Sequence, residues 1–131
     1  MSRPPLPDTD SIARLPDWLQ CLRQSSWGQS LDTVTTEALA AGQTVDIAYL
    51  TRRLHISERQ LLRRIKALSG HTTQQYQKER RLQYARQLLE QRRFATVTEV
   101  AYAANFSTPT YFSDLYEQRF GVRPTEYMKE E

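Results

Sequence analysis

Cysteine is almost missing from this sequence, with Cys21 alone among 131 residues. A single thiol cannot close an internal disulfide, and without a second one it cannot begin a thiolate zinc site. Histidine is nearly as scarce, at His55 and His71, and no histidine or acid is placed to activate the thiol. No catalytic residue, metal ligand or cofactor is therefore assigned, and the chain does not read as an enzyme. Long apolar runs are missing too. Nothing approaches the roughly 18 apolar residues of a membrane span, and the mean hydropathy is −0.68, so a soluble chain that does not cross a membrane is expected. The opening, Met1 to Asp10, has three prolines and lacks the apolar core of a secretory signal, which points to the cytoplasm. Strand signals are missing throughout, so the expected fold class is all-α. At 131 residues and 15.3 kDa there is room for one compact domain of ordinary size and not for two.

What is present is basic charge in one place. The net charge is only +3, yet residues 52 to 93 hold twelve Arg or Lys, ten of them Arg, against three Glu. That segment carries +9 and the remainder −6. Arginine offers a planar fork that fits phosphate and guanine with two hydrogen bonds. A polyanion is the natural partner of such a segment.

Residues 1–30 read as an arm or linker, with Pro16 and Asp17 opening a short helix through Trp18, Leu19 and Leu22. A helix is expected from Leu31, its apolar face formed by Leu31, Val34, Ala38, Leu39 and Ala41 and its stop at Gly42. The next runs from about Val45 to Leu54. Ser57-Glu58-Arg59-Gln60 is a capping box, opening a helix that carries Leu61, Ile65 and Leu68 inward and stops at Gly70. Thr72 to Gln75 repeats the box and starts a longer helix to about Gln91; at 1.5 Å per residue, twenty residues span roughly 30 Å. Thr96 to Glu99 is a third box before a short helix with Val100, Ala101 and Ala104. Thr108-Pro109 then opens a helix lined by Phe112, Leu115, Tyr116 and Phe120 up to Gly121, and a last helix begins at Pro124.

The pattern occurs twice. Leu50-Thr51 and Leu54-His55-Ile56-Ser57 overlie Val100-Ala101 and Ala104-Asn105-Phe106-Ser107 at an offset of 50. After one inserted residue, Leu61 pairs with Phe112, Ile65 with Tyr116, Gly70 with Gly121 and Tyr76 with Tyr127 at an offset of 51. Two copies of a helix-turn-helix are the simplest account. Thr51 and Ala101 take the place where two helices cross and space is short. Four residues later the turn needs positive φ, which His55 and Asn105 tolerate better than most non-glycine residues.

In such a unit the second helix enters the major groove and residues near its start reach base edges. In the first copy these are Arg59, Gln60 and Arg63, since Arg can fork onto guanine and Gln onto adenine. Arg52, Arg53, Ser57, Arg64 and Lys66 are phosphate candidates. In the second copy Thr110, Tyr111 and Asp114 take the base-facing places, with Ser107 and Thr108 toward phosphate. Asp114 and Glu117 would repel phosphate, so weaker, mainly positioning contact is expected from this copy.

These residues resemble the AraC/XylS-type DNA-binding domain over about Leu31 to Lys129. The similarity is densest in Ser57–Gly70, in Arg81-Leu82 with Ala85 and Leu88-Leu89, and from Val100-Ala101 through Asn105-Phe106, Tyr111-Phe112-Ser113 and Phe120-Gly121 to Pro124 and Tyr127. The resemblance implies about seven helices in two homeodomain-like helix-turn-helix units joined by a long linker helix, divided as 31–71, 72–91 and 92–131. It also places Leu62 beside Arg59, Gln60 and Arg63 among the base-facing positions, and gives Arg81 to the scaffold. Departures are Asn105 for the usual glycine, Met128 where an arginine often follows the tyrosine, and Asp114 for a frequently basic residue. The implied partner is double-stranded DNA, with RNA polymerase and an upstream sensor or receiver domain as further partners such domains have. The competing reading is a helix-turn-helix module that contacts transcription machinery without reading DNA.

Overall fold

The computed structural model describes residues 15–128. Among them are seven α-helices, one terminal 3₁₀ helix and no strand: α1 Asp17–Arg23, α2 Ser26–Ala40, α3 Ile47–Leu54, α4 Glu58–Ser69, α5 Thr73–Gln91, α6 Val97–Ala103, α7 Pro109–Phe120, and the 3₁₀ helix Pro124–Met128. The chain forms two compact units that divide between Arg80 and Arg81, inside α5. Of the arm or linker expected over residues 1–30, residues 1–14 lie outside the described residues and the rest forms α1 and the start of α2.

The first unit is built by α1 to α4 and the opening turns of α5. Its buried apolar residues include Leu19, Leu22, Leu31, Val34, Leu39, Leu50, Leu61, Ile65 and Tyr76, and full burial of one such side chain is worth about 1.5–3 kcal/mol. Helix α2 starts five residues before the expected Leu31. Ser25 caps it by accepting from the Gly28 amide at 2.9 Å, and Gly28 is there for space, because a Cβ would fall 1.7 Å from the Leu22 carbonyl oxygen. Gly28 is thus a close-approach point between α2 and the end of α1. Two other expectations need correction. Leu68, placed inward by its spacing, is 36% exposed, so the apolar stripe of α4 runs a turn beyond the core beneath it. Ala41 is exposed just past the end of α2.

Polar groups tie this unit together across long sequence separations. The Tyr76 hydroxyl lies 3.0 Å from Thr35 Oγ1, and burial pushes the phenol above its ordinary range. Asp32 receives Arg23 at 2.8 Å and Arg80 at 3.0 Å, while Arg80 also donates to Thr36 Oγ1 at 2.6 Å. The Asp32 carboxylate and the Thr36 hydroxyl give the buried Arg80 guanidinium the partners that its burial requires.

The second unit packs α6, α7 and the 3₁₀ helix with the later turns of α5 around Leu82, Leu88, Leu89, Val100, Phe106, Phe112, Tyr116, Phe120 and Tyr127. Aromatic rings take the places held by aliphatic residues in the first unit. Phe106 and Phe112 lie 5.0 Å apart, and Tyr116 and Phe120 4.6 Å. The Tyr116 hydroxyl donates to that of Tyr127 at 3.0 Å, and burial, then that bond, drives its pKa far up. The last element is a 3₁₀ helix, too short at five residues to settle into the α form.

Candidate nucleic-acid interface

Each unit presents its second helix by the same backbone device. After α3, His55 sits at φ 57° and the Ile56 amide bonds the Thr51 carbonyl at 3.2 Å. After α6, Asn105 sits at φ 71° and the Phe106 amide bonds the Ala101 carbonyl at 2.9 Å. Both turns satisfy a carbonyl that the helix end leaves open and aim the next helix away. The exits also match: Gly70 and Gly121 have φ 78° each, with amides 2.8 Å from the Lys66 and Glu117 carbonyls. Space at the helix crossing is tighter in the second copy, where Ala101 is fully buried while Thr51 is half-buried.

The helix starts differ. Ser57 and Gln60 close the expected capping box, with the Gln60 amide bonded to Ser57 Oγ and the Ser57 amide to Gln60 Oε1, both at 3.1 Å. At α7 the Thr108 side chain makes no cap and Pro109 holds the first helical position. The Thr96 box before α6 is half-formed, since Glu99 reaches Ala95 rather than Thr96.

All eight candidates of the first unit are exposed, yet they are not equally free. Arg53 is held by Glu37 at 3.0 Å and by the Tyr49 hydroxyl at 2.7 Å, partners that raise its pKa and keep it charged. Arg64 lies over the Trp27 ring at 5.4 Å, a contact that helical periodicity does not reveal. Lys66 donates to the Gly70 carbonyl at 3.0 Å. Gln60 and Ser57 serve the box. The side chains of Arg52, Arg59 and Arg63 make no hydrogen bond or ion pair among the described residues. Arg59 and Arg63, four residues apart, share one helix face, so two unengaged guanidinium forks stand together near the start of α4.

In the second unit Ser107, Thr108, Thr110, Tyr111 and Asp114 are exposed, Tyr111 at 56%. Their surroundings are acidic but not uncompensated. Arg123, from the loop after Gly121, reaches Asp114 at 3.6 Å and Glu117 at 3.3 Å. Helical periodicity does not reveal Arg123, which lies beyond the helix it serves. All three groups are well exposed, so each pair adds at most about 1 kcal/mol.

The described residues hold no group of three or more His, Cys, Asp or Glu arranged to bind a metal. No helix among them is long and apolar enough to cross a membrane.

Comparison with known proteins gives a consistent pattern. A family model described as "Helix-turn-helix domain" matches residues 50–130. The chain is 30% identical over 87 residues to histidine kinase P4 of Formosa agariphila, covering 66% of this chain and 6% of that protein. It is 35% identical over 77 residues to the HTH-type transcriptional activator RhaS of Escherichia coli O139:H28, covering 59% and 27%. The chain thus spans a small part of the curated relatives it matches. Among solved structures, the DNA-binding domain of the global transcriptional factor AdpA, in complex with a target DNA, superposes with a TM-score of 0.62 at 28% identity over 76% of this chain and 89% of that one. A regulator from Chromobacterium violaceum with an AraC-type DNA-binding domain gives a TM-score of 0.64 at 27% identity, covering 79% and 94%.

Proposed function

Because the chain belongs to the AraC/XylS-type helix-turn-helix family, we propose that it is a sequence-specific DNA-binding transcription regulator, or the output domain of one, reading the major groove mainly with α4. The observation that carries this reading is the pair of exposed, unengaged guanidinium groups of Arg59 and Arg63 on a helix that follows a helix-turn-helix turn and packs its other face, Leu61 and Ile65, into the unit. Two forks four residues apart suit guanine O6 and N7 on neighbouring base pairs. Arg52, Arg64 and Lys66 lie toward phosphate. Arg53 joins them by leaving Glu37, and Ser57 takes the phosphate place at the start of α4. The likeness to a DNA-binding domain solved on its target DNA supports the same partner here.

Thr110, Tyr111 and Asp114 take the base-facing places of α7, and Ser107 and Thr108 the phosphate places, with weaker engagement because the face is acidic. The working division keeps helix-turn-helix units at 31–71 and 92–131 and a linker helix at 72–91, with α1 and the start of α2, read as arm in the sequence, packed into the first unit. The similarity to RhaS supports activation of transcription, with RNA polymerase as the further partner, and the similarity to a histidine kinase supports an upstream sensor or receiver. A bacterial cytoplasm, where chromosomal DNA is accessible, is the matching compartment.

Selection of bound sites from a random duplex pool at ~150 mM salt tests the proposal, since salt sets how much nonspecific binding survives. A two-part motif with parts about one helical turn apart means that both units read sequence. A single short motif means that α4 alone specifies it. No enrichment overturns the reading and leaves the scaffold as a protein-interaction module.

A further inference from the structure

The exposed face of α4 is not uniformly polar. Arg59, Arg63 and Lys66 lie along it, and Leu62 stands beside them with 40% of its surface exposed. It lies three residues after Arg59 and four before Lys66, spacings that set side chains next to one another on a helix. The part of Leu62 that stays in water among these cations, 40% of its surface, gains nothing for the folded unit.

Gln60 has the opposite situation. Its Oε1 is taken by the Ser57 amide and its own backbone amide by Ser57 Oγ. Pairing with adenine needs that side-chain oxygen for N6–H and the side-chain amide for N7, so Gln60 reads adenine only by sharing or giving up the oxygen that caps its own helix. A polar reader is therefore tied down, while an apolar side chain is presented in its place.

Among the groups that base edges present in the major groove, the apolar one is the C5-methyl of thymine. We propose that Leu62 is a specificity-determining residue that packs on a thymine methyl beside the base pairs taken by Arg59 and Arg63, and that Gln60 remains a helix cap. The first unit then reads two guanidinium contacts and one apolar contact. This rests on the DNA-reading role of α4 proposed above.

The test uses the whole 131-residue chain and duplexes recovered from the random pool. Each thymine in turn is replaced by deoxyuridine, which removes the methyl group and nothing else. At one thymine the swap weakens wild-type binding about fourfold, the ratio equivalent to about 0.8 kcal/mol for one buried methyl or methylene group. Leu62→Ala binds the thymine duplex more weakly and no longer distinguishes it from the deoxyuridine one, whereas Leu62→Met, still apolar, does. Arg63→Ala binds more weakly but keeps the methyl discrimination. Alanine is the best helix former and the position is exposed, so the variant folds, which thermal unfolding checks. A wild type indifferent to deoxyuridine at every position, or a Leu62→Ala variant with undiminished discrimination, overturns this assignment and leaves DNA reading by α4 standing. Failure to select any sequence overturns both.

Discussion

The two helix-turn-helix units share a backbone plan and differ in surface chemistry. Their turns place His55 and Asn105 in the same left-handed conformation, and their recognition helices end on glycines with the same φ. On that common frame α4 carries Arg59, Arg63, Arg64 and Lys66 against Glu58, whereas α7 carries Asp114 and Glu117 against Arg119. The cores differ as well, aliphatic at Leu61 and Ile65 where the second unit has Phe112 and Tyr116. What positions a helix and what that helix says to a partner are thus set by different residues, and one can change without the other. The structure refines the contrast further. Arg123 answers the acids of α7, while several cations of the basic segment are already engaged within the protein.

The comparison can be strained at its strongest point, the core. Phe112→Ala should cost about 3–5 kcal/mol and Leu61→Ala about 2–5 kcal/mol, read as shifts of the urea unfolding curve. A loss well under 1 kcal/mol at either site would mean that the paired positions do not share a structural role. Next in size is the functional asymmetry. Arg63→Ala should lose about 1–3 kcal/mol on the selected site and little on random duplex, and Thr110→Ala should lose less. Equal losses on specific and random DNA would sink base reading by α4, and a larger loss from Thr110 would reverse the order of the units.

The turn gives a smaller effect. Asn105→Val should cost about 1–2 kcal/mol of stability because a branched side chain is strained at positive φ, while Asn105→Gly should be tolerated. If valine is tolerated as well as glycine in thermal unfolding, the turn does not impose the conformation described here. The smallest effect concerns charge. Arg52→Ala should weaken binding to all sequences and reduce the slope of log affinity against log salt by about 0.9. Asp114→Asn should steepen that slope by less than one such contact. No change from Asp114→Asn would mean that Arg123 already cancels the acid completely.

Much of this was legible because its causes are local. Ser57 and Gln60 announce a helix start within four residues, Gly70 and Gly121 announce stops, and the offset of 50 then 51 exposes the repeat. The candidate site was legible in identity but not in availability. Arg53 and Arg63 look alike in sequence, yet Arg53 is tied to Glu37, a partner 16 residues away. Arg123 escaped notice because it serves α7 from outside the helix, and Trp27 because nothing in helical periodicity joins it to Arg64.

The sequence by itself determined where most helices begin and end, that the turn residues His55 and Asn105 take positive φ, and that basic charge gathers between residues 52 and 93. Each of these follows from interactions among residues a few positions apart, or from composition alone. Tertiary structure decided which cations stay unengaged, that Leu62 and Leu68 remain exposed while Ala101 is sealed, and that Gly28 is needed for close packing. Those outcomes depend on pairings such as Arg80 with Asp32 across 48 residues. No local pattern encodes them, because a side chain's partner is fixed by how the helices pack and not by its neighbours along the chain.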